Sequence, residues 1–313
     1  MFPPIAVIDI GSNSVRLVIY QQLDKQSFHL LEEHKFKVRI GEGAYLKNGY
    51  LQEEAISRAF NALQAFSLIL QNYPNIKTFP IATSALRDAP NSNIFTALIQ
   101  KELNLTIKII DGKQEAYLGA LAAKMLLPIA DAISIDIGGG SSDIALIKNS
   151  KIIETYSLNL GTVRLKELFS NTHLLHPDIQ EHIENELKTL PASFNMLKAI
   201  SIGGTARTLS KAIMRFKGDR TSIIHGFSYR NDNFQEFFDK VIEANETLLH
   251  ELKIPKSRID TIREGTLIWK SILNHIESKE VVSSSVGIRE GAFLEAVNLT
   301  SPTGLITFTS LTS

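Results

Sequence analysis

The sequence has no cysteine, no long unbroken apolar run and no excess of either charge. The absence of cysteine excludes disulfide bonds, thiolate zinc sites and cysteine nucleophiles. The most apolar stretch, residues 117–137, is interrupted by Lys124, Pro128 and Asp131 and does not predict a membrane span. Basic and acidic residues number 33 each, so net charge does not indicate a nucleic acid polymer as partner. Because the first residues also lack a basic leader segment, we expect a cytoplasmic protein with no membrane partner.

One phrase occurs twice in the chain. Residues 6–20 read AVIDIGSNSVRLVIY, and residues 133–147 read ISIDIGGGSSDIALI, at a constant offset of 127 residues. Each copy is an apolar run that ends in Asp-Ile-Gly, passes through a small polar turn and continues as a second apolar run. The pattern predicts a β-hairpin at the start of each of two related halves.

Each half continues with further strands mixed with amphipathic helices, which indicates a duplicated α/β fold. A chain of 313 residues is long enough for two domains with separate cores. Pro128 marks the expected boundary because it ends a predicted helix. We therefore predict an N-terminal domain over 1–126 and a C-terminal domain over 127–313, with the Ser/Thr-rich tail after about 298 able to pack back on the first domain.

Three glycine turns are candidates for binding phosphate. Glycine allows successive backbone N–H groups to converge on one anion, and serine or asparagine side chains can add donors. Two of the turns are the repeated hairpin turns, and the third opens a predicted helix after the strand AISI. The predicted phosphate-binding residues are Gly11, Ser12, Asn13, Ser14, Gly138, Gly139, Gly140, Ser141, Ser142, Gly203, Gly204 and Thr205. The alternative is that these segments are ordinary turns.

Carboxylates flank the two repeated turns. Asp9 and Asp136 each precede a turn by two residues, and Asp143 follows the second turn. A carboxylate in that place lies beside bound phosphate and can hold Mg²⁺ (or Mn²⁺), directly or through water. The alternative is that each aspartate caps its turn by hydrogen bonding. The helix after the third turn also carries Arg207, Lys211 and Arg215 on one face, which is either a cationic surface near phosphate or a solvated helix face.

Seven segments together resemble the Ppx/GppA family of bacterial exopolyphosphatases and guanosine pentaphosphate phosphohydrolases. They are DIGSNSVRL (9–17), ATSALRDAPN (82–91), IIDGKQEAYLG (109–119), SIDIGGGSSD (134–143), LGTVRL (160–165), GGTARTL (203–209) and SSVGIREG (284–291). The resemblance implies a two-domain, actin-like ATPase (ribonuclease H-like) fold with the active site in an interdomain cleft. It also implies Mg²⁺-dependent hydrolysis of a terminal phosphoanhydride in polyphosphate or guanosine pentaphosphate, and a place in the stringent response.

The resemblance also assigns roles to individual residues. Glu115 stands at the position of the family's catalytic glutamate, and Arg87 at that of its phosphate-contacting arginine. Asp136 matches the metal-site aspartate. Asp143 departs from the family pattern, which has glutamate there, and the shorter side chain leaves direct or water-mediated metal contact open. From its position alone, Glu115 would be an acid at a helix start that complements the helix dipole.

Two other functions fit the same fold. One is a sugar- or acetate-type kinase, although nothing in the sequence marks a pocket for a phosphate acceptor. The other is a nucleotide-gated sensor or assembly protein with little turnover. Long members of the family carry extra C-terminal helical domains, so for this chain we expect short polyphosphates or nucleotides to be preferred. A homodimer is the default expectation for the assembly.

Overall fold

The computed structural model describes residues 2–219, 221, 223–300 and 307–310. Two compact units make up the chain: a terminal unit of Met1–Leu126 with Ile288–Ser313, and a central unit of Leu127–Gly287. The sequence pattern placed residues 127–313 in the second domain, with only the tail after about 298 able to pack back on the first, whereas residues 288–313 group with the terminal unit. Within the predicted tail, 301–306 and 311–313 lie outside the described residues.

The terminal unit begins with three strands and continues with mixed helices and strands. Its elements up to residue 126 are β1 (Ile5–Ile10), β2 (Val15–Gln22), β3 (Ser27–Phe36), α1 (Glu53–Leu70), β4 (Lys77–Ala82), α2 (Ser84–Arg87), α3 (Ser92–Leu103), β5 (Lys108–Ile109) and α4 (Gly112–Leu126).

The central unit starts in the same way. Its elements are β6 (Ala132–Ile137), β7 (Ser142–Lys148), β8 (Lys151–Leu158), α5 (Thr162–Leu168), α6 (Pro177–Leu187), β9 (Lys198–Ile202), α7 (Gly203–Phe216), β10 (Ser228–Arg230), α8 (Gln235–Glu243), α9 (Glu246–Glu251), α10 (Ile262–His275) and β11 (Glu280–Ser283). Short 3₁₀ turns occupy Ala192–Phe194, Asn231–Phe234 and Lys256–Arg258. The chain then returns to the terminal unit with α11 (Ile288–Ala296) and β12 (Thr307–Ser310).

The two sheets share the order of five strands, since β3-β2-β1-β4-β5 corresponds to β8-β7-β6-β9-β11, whereas the sixth strand lies at a different edge in each. In the terminal unit the full order is β12-β3-β2-β1-β4-β5, and in the central unit it is β10-β11-β9-β6-β7-β8. In each sheet the repeated phrase forms an antiparallel hairpin, β1–β2 or β6–β7, whose first strand also pairs in parallel with a later strand, β4 or β9. The first hairpin strands are almost wholly apolar and buried, as expected at the middle of a sheet.

Each unit has its own hydrophobic core. Phe66 and Phe95 are fully buried in the terminal unit, and Trp269 and Phe238 are fully buried in the central unit. The Trp269 indole N–H donates to the Tyr229 hydroxyl at 3.2 Å, which satisfies a polar group inside the core. Among the described helices, none is both long enough and apolar enough to cross a lipid bilayer.

Helix α11 belongs to the terminal unit because it packs closely on α4. Gly291 lies so near α4 that a Cβ atom there would stand 1.9 Å from the Leu118 carbonyl oxygen. The side chain of Phe293, on the same helix, packs against Tyr20 and Phe28, with centroid distances of 4.6 and 4.9 Å. Strand β12 then pairs in parallel with β3. These long-range contacts have no local signature in the sequence.

We predict that Gly291→Ala destabilises the protein, because the new methyl group would overlap α4 backbone that cannot move without disturbing the helix. Overpacking of this kind costs about 1–3 kcal/mol of unfolding free energy. Thermal unfolding of the variant checks the prediction, with Ala296→Ser on the partly exposed end of the same helix as control. A melting temperature unchanged from that of the wild type would contradict the packing described for α11.

Candidate active site

In the first repeated turn, the backbone carbonyl groups already accept hydrogen bonds from within the protein. The Gly11 N–H donates to the Ser14 carbonyl at 3.1 Å and closes the turn. The Ser12 and Asn13 carbonyls accept from the N–H groups of Gly41 and Arg39, at 3.1 and 3.0 Å. Among the described residues, the N–H groups of Ser12 and Asn13 donate to no acceptor. Such N–H groups in a tight turn can bind an anion.

The second turn repeats this arrangement. The Gly138 N–H donates to the Ser141 carbonyl at 2.9 Å, just as in the first turn. The Gly138 and Gly139 carbonyls accept from the start of α5, through the N–H groups of Thr162 and Val163 at 3.0 and 2.8 Å. The N–H groups of Gly139 and the following Gly140 find no acceptor in the described part of the chain.

The motif LGTVRL packs against the second turn and hydrogen-bonds to it, a role that was not predicted from the sequence. A Cβ atom on Gly161 would stand 2.4 Å from the Gly139 carbonyl oxygen, so only glycine allows α5 to approach the turn this closely. The Arg164 Nε group donates to the Gly140 carbonyl at 2.7 Å. The motif was visible in the sequence, but its contact with residues more than twenty positions earlier was not.

Several of the predicted hydroxyl donors are already used within the protein. The Ser142 hydroxyl donates to the Leu160 carbonyl at 2.6 Å, and the Ser12 hydroxyl lies 3.0 Å from that of Ser84. The Ser141 hydroxyl donates to Asp143 at 3.1 Å. Ser12, Ser141 and Ser142 are all buried. In this structure, therefore, these three hydroxyls are engaged within the protein, while backbone N–H groups of the turns remain as donors for an anion.

A row of polar side chains crosses the central sheet beside the second turn. Asp136 on β6 pairs in register with Asp143 on β7, which pairs with Ser157 on β8. Directly paired residues project from the same face of a sheet. Asp143 is only 4% exposed, and its two carboxylate oxygens accept from the Ser141 and Ser157 hydroxyls at 3.1 and 2.5 Å. The row therefore places two carboxylates side by side.

The corresponding place in the terminal unit has a different charge. Asp9 pairs in register with Arg16 rather than with a second acid. Burial raises the pKa of the Asp9 carboxyl, while the positive charges of Arg289 and Arg16 act to lower it. The two copies of the repeat therefore share a backbone but differ in electrostatics.

The second and third turns meet at Asp136. Gly203 has a φ of +80°, and a Cβ atom there would stand 1.9 Å from the Asp136 Oδ1 atom. A Cβ on Gly287 would stand 4.0 Å from the other carboxylate oxygen. Thr205 is buried against Gly265 of α10. The central unit thus brings Gly203 of the third turn against the carboxylate of Asp136, two residues before the second turn.

Arg87 and Glu115, which lie 28 residues apart in the chain, form an ion pair. Arg87 ends α2, and its Nη1 atom lies 2.9 Å from Oε2 of Glu115 in the first turn of α4. The side chains are 21% and 14% exposed, so the pair is accessible on one side while being held in place. Asp111 caps α4 by accepting from the Gln114 N–H at 2.7 Å. The structure therefore places the predicted catalytic acid next to the predicted phosphate-contacting arginine.

A buried charged network in the terminal unit was also not predicted from the sequence. Arg289 and Glu290 of α11 are only 6% and 7% exposed. Nη1 of Arg289 donates to Glu33 at 2.5 Å, and the Tyr20 hydroxyl donates to Glu290 at 2.9 Å. The pKa of the Tyr20 hydroxyl is raised, mainly by burial and also by the charge of Glu290. The motif SSVGIREG was visible in the sequence, but the residues that Arg289 and Glu290 contact, Glu33 and Tyr20, lie more than 250 positions earlier.

Asp136 and Asp143 suit a cation whose coordination shell is completed by other ligands. Within the described residues, no three or more acidic or histidine side chains converge in a way that could hold a metal ion. Mg²⁺ is commonly held by one or two carboxylates, with waters and substrate phosphates as the remaining ligands. Asp136, which lies against Gly203, and its neighbour Asp143 could provide such a partial ligand set.

Two sheets of like order, each with a glycine turn that presents N–H groups at the end of a hairpin, define a duplicated α/β protein. A crystal structure described as the Aquifex aeolicus member of the Ppx/GppA protein family superposes with a TM-score of 0.78 at 25% identity, covering 95% of this chain and 98% of that one. The prediction of a duplicated α/β fold is confirmed.

The chain belongs to the Ppx/GppA phosphatase family, whose sequence profile matches residues 18–300. It is 29% identical to exopolyphosphatase 2 of Mycobacterium tuberculosis over 88% of this chain and 91% of that protein. It is 35% identical to a guanosine-5'-triphosphate,3'-diphosphate pyrophosphatase of Pseudoalteromonas atlantica over 52% of this chain and 32% of that protein. It is 30% identical to a bifunctional 3-dehydroquinate synthase/phosphatase of Fusobacterium nucleatum over 93% of this chain. The chain spans 46% of that last protein, less than half its length.

Proposed function

We propose that this protein hydrolyses the terminal phosphoanhydride bond of condensed phosphates, either inorganic polyphosphate or guanosine pentaphosphate. The observation that carries the proposal is the ion pair at 2.9 Å between Arg87 and Glu115. It combines a carboxylate able to accept a proton with a guanidinium able to contact phosphate oxygens. The names of the relatives support both substrates, since one is called an exopolyphosphatase and another a guanosine-5'-triphosphate,3'-diphosphate pyrophosphatase.

In the proposed reaction, a water oxygen bonds to the terminal phosphorus while the bond from that phosphorus to the bridging oxygen breaks. The electron pair of the broken bond stays on the bridging oxygen, and the proton of the water passes to the Glu115 carboxylate. Arg87 stabilises charge on the oxygens of the transferring group. The turn N–H groups of Ser12 and Asn13 are donors for phosphate oxygens in the unit that carries Glu115 and Arg87, and those of Gly139 and Gly140 are equivalent donors in the central unit.

A divalent cation, Mg²⁺ or Mn²⁺, is part of the proposal. Asp136 and Asp143 would hold it, and when bound it would neutralise negative charge on the phosphates. Asp9 is the weaker candidate because its neighbours Arg16 and Arg289 are themselves cationic. On this basis Asp136 contributes most to metal binding and Asp9 contributes least. Asp143 adds a second negative charge beside the cation and helps to fix its position.

Ser157 gives a test of the metal site that does not depend on turnover. Its hydroxyl donates to Asp143 at 2.5 Å, so Ser157→Ala should leave that buried carboxylate less well oriented. Changes of this kind beside a metal ligand typically weaken metal binding by about 10–100-fold. Mn²⁺ binding to the protein without substrate, followed by paramagnetic resonance, measures the effect.

Ser157→Thr keeps the hydroxyl and serves as the matched control, with affinity expected near that of the wild type. The role of Asp143 in the metal site would be contradicted if the alanine variant bound Mn²⁺ as tightly as the wild type did.

The substrate is tested by measuring phosphate release side by side from short polyphosphate, long polyphosphate and guanosine pentaphosphate, each with and without Mg²⁺. We expect release from at least one of them, dependent on the cation, with short chains turned over at least as fast as long ones. The proposed function would be wrong if none of the three released phosphate in the presence of the cation.

A further inference from the structure

The buried charged network of α11 lies close to the first glycine turn, and the proposed reaction gives it no role. Asp9 links the network to the turn. A Cβ atom on Gly11, the first residue of the turn, would stand 4.0 Å from the Asp9 Oδ1 atom. A negative charge at this place opposes phosphate binding by the N–H groups of Ser12 and Asn13, because like charges repel. The first turn can therefore bind phosphate well only if a positive charge offsets that of Asp9.

Two arginines bring positive charge to Asp9. Arg16 is its cross-strand partner on β2, and Arg289 lies on α11. Burial has the largest effect on the pKa of the Asp9 carboxyl and raises it, and Arg289 has the largest effect that lowers it, ahead of Arg16. The side chain of Arg289 is 7% exposed and that of Arg16 is 16% exposed, so solvent screens the charge of Arg289 less. Arg289 is thus the stronger counter-charge of Asp9.

Arg289 is held in place by residues far away in the chain. Its Nη1 atom donates to Oε1 of Glu33 at 2.5 Å, and the same oxygen lies 3.7 Å from Nη1 of Arg16. Glu33 therefore holds both arginines. The next residue, Glu290, is buried and accepts from the Tyr20 hydroxyl at 2.9 Å, which ties this turn of α11 to β2. A charge that is fixed in this way need not rearrange when an anion binds.

The two copies of the repeat differ in what can offset their aspartates. In the central unit, Asp136 has a second acid, Asp143, as its cross-strand partner, and the proposed cation would neutralise both. In the terminal unit we expect the weakest metal binding, and the positive charge beside Asp9 belongs to the protein itself. This difference points to a function for Arg289 that the hairpin alone does not require.

We propose that Arg289 is a positioning residue for the reaction: it offsets the charge of Asp9 and thereby allows the first glycine turn to bind a phosphate group of the substrate. This inference rests on the proposed function, because it takes that turn as a phosphate site. Arg289 acts through Asp9 and the turn, and not by contact with the reacting atoms.

The test measures anion binding to the full chain carrying Glu115→Gln, called the parent chain, so that substrate is not consumed. Divalent cations are left out, so that metal binding does not contribute. Arg289→Gln removes the positive charge, and Arg289→Lys keeps it. Lys101→Gln is the charge-matched control, because Lys101 is exposed on α3 of the same unit. Calorimetry gives the dissociation constant of short polyphosphate for each variant, and thermal unfolding shows whether the variant is folded.

We expect Arg289→Gln to bind short polyphosphate at least about tenfold more weakly than Lys101→Gln does, the effect of losing one unit charge near an anion in a partly screened site. Arg289→Lys should retain most of the affinity, within about threefold of the control, because the charge remains. Equal affinities of Arg289→Gln and the control would overturn the inference.

A second substitution separates charge from structure. If Arg289 acts by offsetting Asp9, then Asp9→Asn added to Arg289→Gln restores the affinity to within about threefold of the parent chain, because both charges are then absent. Glu102→Gln, which removes an exposed acid on α3 instead, should restore none of it. A loss that Asp9→Asn did not restore would show that Arg289 only supports the fold, and the inference would be wrong.

Asp9→Asn alone covers the case in which Arg289→Gln does not fold. With Arg289 in place and the carboxylate replaced by a neutral amide, this variant should bind short polyphosphate about tenfold more tightly than the parent chain does. Equal or weaker binding would overturn the inference.

The proposed function can fail separately from this inference. If the wild-type protein released no phosphate from any of the three substrates in the presence of Mg²⁺, the proposed hydrolysis would be wrong. The comparison of Arg289→Gln with Lys101→Gln would still decide the role of Arg289 in binding. If the parent chain bound no short polyphosphate, the inference would be overturned whatever the rate of hydrolysis.

Discussion

Glu115→Gln is expected to lower kcat for phosphate release by roughly 10²–10⁴, the range that a positioned general base supplies. Glutamine has nearly the same shape as glutamate but cannot accept the proton of the attacking water. Because the turns proposed to bind phosphate are untouched, the dissociation constant for substrate should change little. The change acts on the step at which water is activated, so the loss appears in kcat rather than in binding.

Glu295→Gln is the matched control for this prediction. Glu295 lies on α11 and accepts from Gln114, the residue before Glu115, at 3.1 Å. A glutamine there keeps an acceptor for Gln114, so activity should stay within about threefold of wild type. If Glu115→Gln were as active as this control, Glu115 would not be the base. If the wild-type protein bound nucleotide but released no phosphate, the alternative of a sensor or assembly protein would replace the hydrolase.

Asp136→Asn is expected to weaken divalent cation binding by more than about 100-fold, beyond the effect usual for residues that only support a ligand. Asp136 faces Asp143 across the hairpin and rests against Gly203, and it is the residue proposed to contribute most to metal binding. The amide removes the negative charge while keeping the size of the side chain. Mn²⁺ binding without substrate and the Mg²⁺ concentration for half-maximal phosphate release both report the effect.

The repeat supplies the control for this prediction. Asp9→Asn makes the same change at the equivalent place in the terminal unit, where Arg16 rather than an acid is the cross-strand partner. We expect a much smaller loss of cation affinity there. Thermal unfolding of both variants separates loss of metal from loss of fold. An equal effect of the two substitutions would contradict the inequivalence of the two copies that was argued from their cross-strand partners.

The repeated phrase made much of the fold predictable. Because a tight hairpin fixes its own register, the sequence alone indicates that Asp9 pairs with Arg16 across the first hairpin, and that Asp136 pairs with Asp143 across the second. The starts of helices could also be predicted, because capping depends on neighbouring residues such as Asp111 before α4. These features are local, and local chemistry determines them.

What could not be predicted depends on contacts between distant segments. The approach of Gly161 to the second turn and that of Gly203 to Asp136 follow from how helices pack against a sheet edge. The return of α11 to the terminal unit was missed because the pattern of its sequence indicates a helix but not its packing partner. The sequence likewise does not indicate that Arg87 forms an ion pair with Glu115, although the family resemblance assigned a role to each.

The most direct test of the central claim is hydrolysis in water enriched in ¹⁸O, with polyphosphate or guanosine pentaphosphate, Mg²⁺ and no phosphate acceptor. Attack of water on the terminal phosphorus predicts that each phosphate released carries a single ¹⁸O atom and that the remaining chain carries none. Phosphate released without ¹⁸O, or release that requires an added acceptor, would contradict the claim that this protein is a phosphoanhydride hydrolase.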